Sequence, residues 1–191
     1  MSTITSASSV FLWLRPDLSR QEARAYWAGP HSQLAARIPG LHEYRQHHFT
    51  ADSPGAWPAL DGVETVIPDD QRIDGMPEVT FEHVWSPLMG GKQGKKVRQD
   101  ERNVFARTIL HITGPGGGRW FKTGYGARVG ARVVVLLRRR KRGRKAFKRF
   151  IQDVLGPSLD AAPGVIELRT QTFLPFSKRR RLSWNCDSLR R

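Results

Sequence analysis

The apolar positions fall into short blocks separated by polar or Pro/Gly-rich stretches, and the first block sets the frame. Val10 to Leu14 is an unbroken run of β-branched, aromatic and aliphatic residues stopped by Arg15-Pro16, the pattern of a buried strand. Residues 1 to 9 are small and polar and read as a loose end. Ser19 followed three positions later by Glu22 is a capping box, each side chain satisfying an orphan amide at the start of a helix. Along that helix Ala23, Trp27, His31, Leu34 and Ile38 fall at spacings of four, four, three and four, which places them on one face and turns His31 toward the core. Gly29-Pro30 interrupts the helix just before His31, so Pro30 either kinks it or restarts its last turns. Pro39-Gly40 ends it. Leu41 to Phe49 then reads as a second strand, with His42, Tyr44, Gln46 and His48 on one face and His47 on the other.

Ala51 to Leu60 is a loop carrying Trp57, and Asp61 to Ile67 reads as a third strand. Pro77 to Leu88 has Phe81, Val84, Trp85 and Leu88 on one helical face, GGKQGKKVRQDER reads as a polar connection, and Arg107 to Thr113 as a fourth strand. The order is β-α-β-β-α-β, an α+β arrangement of ferredoxin-like type. Gly114 to Gly118 and Thr123 to Gly130 form a glycine-rich linker.

A shift of 124 residues lays the opening unit on Val134 to Phe173 without a gap. Leu12 falls on Leu136, Ala23 on Phe147, Tyr26 on Phe150, and Pro39-Gly40 on Pro163-Gly164. Core positions meet core positions, so the chain reads as a ferredoxin-like repeat over 8–115, a linker over 116–130, a partial second repeat over 131–176 and a basic tail over 177–191. His31 falls on Leu155 and Tyr44 on Leu168, so the copy loses the polar groups. It is also short of its last strands, which makes completion by a second chain, as a homodimer, the expected arrangement.

Composition changes this picture only in the second half. The formal charge of +15 divides into 15 Lys+Arg against 13 Asp+Glu in residues 1–130, and 17 against 4 in residues 131–191. Nine of the twelve residues from Arg138 to Arg149 are basic, which suits an acidic partner or, as a rival function, phosphate contacts with a nucleic acid. The lone Cys186 excludes an intramolecular disulfide and suits a reducing compartment. The N-terminal stretch has no basic start and only five consecutive apolar residues, so neither a secretion signal nor a membrane span is expected, and a cytoplasmic location follows.

His31 is the leading candidate for chemistry, because an imidazole in a semi-apolar cavity can exchange a proton with a carbonyl or enol near neutral pH. Tyr44 is the candidate partner, and Trp13, Trp27 and His48 are candidate substrate contacts, with Trp57 and Trp85 as further aromatic lining. The competing reading of each is ordinary core packing. Six histidines are scattered without an HExxH or a comparable ligand spacing, so neither a metal nor any other cofactor is expected.

The run from the Ser19 helix through His31, Pro39-Gly40-Leu41 and Tyr44, then Asp61-Gly62-Val63 and Asp100-Glu101 before Phe105, resembles the EthD family of the dimeric α/β-barrel superfamily. The resemblance implies a barrel of two ferredoxin-like sheets around a cavity for small, mostly apolar molecules. It also implies that His31 is the family histidine. Relatives include proteins needed by ether-degrading monooxygenase systems, dehydratases and cyclases acting on polyketides, and lactone isomerases. The expected function is cofactor-free acid/base chemistry on a small hydrophobic oxygenated compound, by dehydration, cyclisation or isomerisation. The alternatives are a non-catalytic accessory or ligand-binding protein of an oxidative pathway, and a basic nucleic-acid-binding module.

Overall fold

A computed structural model describes residues 3–50, 61, 72–83, 86, 91–122, 131–137 and 143–175. The expected third strand beyond Asp61, the Trp57 loop, Val84, Trp85 and Leu88, Arg138 to Arg142, and the basic tail with Cys186 lie outside the described residues. The chain divides into two compact units, one of Ser8–Ile112 with Pro175–Arg191 and one of Met1–Ala7 with Thr113–Leu174.

β1 (Thr3–Leu14), which enters the first unit at Ser8, leads into α1 (Arg20–Tyr26), a π-helical turn (Trp27–His31) and α2 (Ser32–Ala35). These are followed by β2 (Leu41–His48), β3 (Gly75–Phe81), α3 (Gly91–Asp100), a 3-10 turn (Glu101–Asn103) and β4 (Phe105–Lys122). The hydrogen-bonded order is β2-β3-β1-β4, with β2 and β3 antiparallel. Together with the β-α-β-β-α-β succession, this makes the unit an α+β, ferredoxin-like fold.

Several elements differ from the sequence expectation. Residues 3 to 9 are not part of a loose end, since β1 starts at Thr3. Pro77 to Phe81 is strand rather than helix, and its polar Glu78 and Thr80 are buried. The second helix is instead α3, in the stretch read as a polar connection, and its one buried residue is Val97. Gly114 to Gly118 is not a linker but part of β4, at a point where the register with the next strand shifts.

The core of the first unit is built from Leu12, Ala23, Trp27, Val104 and Phe105. Two glycines make that packing possible. A Cβ on Gly75 would lie 2.6 Å from the Trp27 ring, so only glycine lets β3 pass under the indole. Gly40 takes φ +70°, and a Cβ there would lie 2.6 Å from Ser86 Oγ. Gly40→Ala is therefore expected to destabilise the chain by about 1–2 kcal/mol from the left-handed conformation alone, read as a lowered denaturant midpoint.

In the second unit α4 (Arg144–Arg149), a second π-helical turn (Phe150–Leu155), α5 (Gly156–Asp160) and β5 (Leu168–Phe173) follow one another. β5 pairs antiparallel with the Thr113–Lys122 part of β4, which belongs to this same unit. Arg144 stands 124 positions after Arg20, the π turn recurs at nearly the same offset, and Gly164 repeats the positive φ of Gly40. Residues 131–137 are not a strand, contrary to the match of Val134 with Val10, and Val133, Val135, Leu136 and Leu137 are exposed.

Candidate functional site

The capping box starts α1 as expected, with Ser19 Oγ accepting from the Glu22 amide and the Glu22 carboxylate accepting from the Ser19 amide at 3.0 Å. Pro30 has no N–H to give, so the regular ladder is lost and the helix widens into a π turn over Trp27–His31. Ser32 Oγ donates to the Ala28 and Gly29 carbonyls at 2.6 and 2.9 Å, which ties the irregular turn together. Trp27 and His31, at the two ends of that turn, are 1% and 4% exposed.

His31 Nδ1 lies 2.8 Å from Asp100 Oδ2, where α3 ends. The Asp100 carboxylate also accepts at Oδ1 from the Tyr26 hydroxyl at 2.7 Å and from Asn103 Nδ2 at 2.9 Å. Asn103 Nδ2 is in addition 3.1 Å from the Tyr26 oxygen. Burial pushes the Asp100 pKa up, but the hydrogen bonds from Tyr26, His31 and Asn103 outweigh it and hold the carboxyl below its usual value. Asp100 is therefore ionised at neutral pH and can only accept, so the Nδ1 facing it carries the proton. The neutral ring then keeps its lone pair on Nε2, for which the described residues supply no hydrogen-bond partner. The Phe105 ring stands edge-on to His31 at 5.6 Å and makes that side apolar.

Tyr44 does not meet His31. Its hydroxyl accepts the Trp27 indole N–H at 3.0 Å, and burial pushes the phenol pKa up. Gln46 Nε2 donates to the Trp27 carbonyl at 2.8 Å, and His48 packs on the indole at 4.1 Å while its Nε2 meets Gln46 Oε1 at 2.9 Å. Burial, with a smaller contribution from Arg24, pushes the His48 pKa down. Tyr44, Gln46 and His48 thus share one face of β2, as alternation predicts, and that face holds Trp27. Trp13 is elsewhere: Leu12 is its neighbour in the core cluster, so alternation turns Trp13 to the opposite face of β1, where the Arg107 guanidinium lies 4.5 Å from its ring centre. The structure therefore brings Trp27 together with Tyr44 and His48, sets Phe105 against both Trp27 and His31, and leaves Trp13 apart.

Sequence reasoning missed Asp100, Tyr26 and Asn103, the three groups that complete the His31 environment. The chain separation of 69 residues between His31 and Asp100 hides the pair from local spacing. It missed Glu101 as well. This carboxyl accepts from Thr108 Oγ1 at 3.0 Å, and burial, only partly offset by that bond and by Arg98, pushes its pKa up to about 7.

A carboxyl raised from 4.5 to about 7 favours the folded state when protonated, so it makes the fold less stable as pH rises through that window. The expected loss is roughly 3 kcal/mol. Urea unfolding from pH 4.5 to 7.5 should show this fall in the wild type relative to Glu101→Gln, in which the difference disappears.

Among the described residues no group of three or more His, Cys, Asp or Glu is placed to hold a metal ion, and no helix is long and apolar enough to cross a membrane.

A ferredoxin-like unit with a histidine–carboxylate pair under its first helix defines the class. Residues 15–107 match the EthD domain, so the chain carries an EthD domain in its first unit. No curated protein matches the chain. An ethyl tert-butyl ether (EthD) family protein from Bacillus halodurans aligns with 55% of this chain and 95% of its own, at 14% identity and a TM-score of 0.39. A hypothetical Arabidopsis thaliana protein solved in solution aligns with 60% and 90% of the two chains, at 8% identity and the same TM-score of 0.39.

Proposed function

We propose that the EthD domain acts on a small hydrophobic oxygenated compound by cofactor-free acid/base chemistry at His31. The observation that carries this reading is the Nδ1–Asp100 bond, which sets the tautomer, orients the ring and leaves Nε2 as the base, with the Phe105 ring edge-on to the imidazole. Asp100 further stabilises the imidazolium that forms when Nε2 takes a proton. Trp27 is a wall of this site, and Tyr44 and His48 act through Trp27 rather than on substrate.

The test is exchange of the α-protons of β-tetralone, a small apolar ketone, in heavy water. Exchange by the wild type that is lost in His31→Ala supports the reading, and equal rates overturn it.

The second reading, a non-catalytic accessory or ligand-binding protein of an oxidative pathway, is favoured by the near-complete burial of Trp27 and its bond to Tyr44, which keep Tyr44 from acting with His31. Saturable tetralone binding without exchange would select it.

The matching offsets of the helix, π turn and positive-φ glycine support the second unit as a tandem copy that has lost its chemical groups. The exposed apolar residues from Val133 to Leu137 support its completion by a second chain, as a homodimer. Val135→Asp is then expected to shift a dimer to monomer in light scattering. An unchanged mass would remove this segment from the interface. The exposed Arg144, Lys145 and Arg149 support an acidic partner for the basic stretch.

A further inference from the structure

We propose that the outer face of the helical run from Arg144 to Asp160 docks on an anionic lipid bilayer, lying on the surface without crossing it. This rests on the reading that the basic stretch has an acidic partner, and it names that partner. α4, the π turn and α5 follow one another without a break, and their inner face is fixed within the second unit. Ile151 and Gln152 are buried, Gln152 Nε2 donates to the Gly116 carbonyl at 2.7 Å, and Lys148 Nζ donates to that of Pro115 at 3.3 Å. A Cβ on Gly156 would lie 2.5 Å from the Phe121 ring. The helix therefore cannot roll its other side inward.

That other side is the reverse of a solvated face, which would be polar. Ala146, Phe150 and Val154 follow at spacings of four and all are exposed, Phe150 by 47% and Val154 by 54%, with Leu159 exposed by 41% about a turn further on. Lys145 and Arg149 form the adjoining row at the same spacing, and Arg144 is exposed at its start. The carboxylate that continues this row, Asp153, pairs with Arg119 at 3.5 Å. An apolar row thus runs beside a cationic one.

Charge complementarity selects the occupant. A second copy of this chain would set these cations against their own kind. A nucleic acid answers them with phosphates, but Val154 and Leu159 offer its bases no aromatic plane to stack on. An anionic bilayer answers both rows, with headgroup charges for Arg144, Lys145 and Arg149 and the upper acyl region for Phe150, Val154 and Leu159. A helix held down on its inner face is met from one side only, which suits a flat surface and not a groove that wraps a helix.

The test is cosedimentation of the full chain with vesicles of phosphatidylcholine carrying about one-third phosphatidylserine, against vesicles of phosphatidylcholine alone, with heparin as a lipid-free polyanion. The wild type is expected to bind the first vesicles and not the second, and to bind less as salt rises. Lys145→Glu with Arg149→Glu should lose roughly 30-fold or more in partitioning, the worth of two basic residues at an anionic surface. Phe150→Ser with Val154→Ser should lose about 10-fold or more while keeping its affinity for heparin, and Phe150→Trp, which keeps an apolar ring, should bind like the wild type. A serine variant that is folded by circular dichroism and binds anionic vesicles as the wild type does overturns the lipid assignment, because charge alone then holds the chain. Unchanged vesicle binding by Lys145→Glu with Arg149→Glu overturns it whatever the fate of the serine variant. Wild-type protein that binds heparin and no vesicle also overturns it but leaves the acidic-partner reading standing, whereas binding to neither overturns both.

Discussion

Trp27→Ala is expected to destabilise the chain by about 3–5 kcal/mol, the cost of a cavity where a large buried aromatic stood. The indole is 1% exposed and sits in the cluster of Leu12, Ala23, Val104 and Phe105, with the Phe105 ring edge-on at 5.7 Å and His48 at 4.1 Å. The backbone on β3 has come as close as glycine allows, so nothing nearby is poised to fill the space. Removal also takes away the N–H that Tyr44 accepts, a loss of about 0.5–1.5 kcal/mol because Gln46 still hydrogen-bonds the phenol. Trp27→Phe separates these effects, because it keeps most of the volume and loses the N–H. A urea midpoint for Trp27→Phe close to that of Trp27→Ala, at unchanged slope, would put the weight on the hydrogen bond; a midpoint near wild type would put it on packing. If Trp27→Ala shifts the midpoint by less than the equivalent of about 1 kcal/mol, the indole is not the centre of this core.

His31→Ala carries the largest expected effect on chemistry, a loss of tetralone exchange of about 10²–10⁴-fold, the usual worth of a positioned proton-transfer group. Asp100→Asn is the sharper variant. It preserves shape, but an asparagine can turn its amide N–H₂ toward Nδ1 and so favour the tautomer with the proton on Nε2, which abolishes the base without removing the ring. The expected loss approaches that of His31→Ala, and the double variant should be no worse than His31→Ala alone, since both changes remove one function. Tyr26→Phe removes only one of the donors to Asp100 and should cost far less. Losses in His31→Ala and Asp100→Asn that multiply in the double variant would mean that the two residues act independently.

The parts of the fold decided by short-range chemistry were legible in the sequence. Ser19 and Glu22 form the capping box they spell, and the irregularity expected from Gly29-Pro30 is the π turn that carries Trp27 and His31. The inward direction of His31 and the alternation along β2 followed from periodicity, as did the α+β class.

Where tertiary context decides, the pattern misled. β3 is buried, so it need not alternate, and Pro77, Glu78 and Thr80 disguise it. α3 contributes one buried side chain, Val97, and therefore shows no apolar stripe to read. The run from Val133 to Leu137 has the composition of a strand, yet composition supplies no neighbouring edge to pair with.

The site divides in the same way. His31 was visible from its own helix, whereas Asp100, Tyr26 and Asn103 meet it only through folding, and Tyr44 was assigned to the wrong neighbour because two inward faces need not point at each other. Asp100-Glu101 stood out in the sequence only as part of a family pattern, with nothing local to assign one carboxyl to the imidazole and the other to Thr108.

The most direct test of the His31 assignment is the ¹⁵N–¹H long-range correlation spectrum of histidine-labelled protein, recorded from mildly acidic to alkaline pH on the wild type and on Asp100→Asn. His31 should appear at alkaline pH as the neutral ring with its proton on Nδ1 and an unprotonated Nε2, and Asp100→Asn should shift it toward the other tautomer. A His31 ring that carries its proton on Nε2 in the wild type would contradict the proposal that this nitrogen is the base.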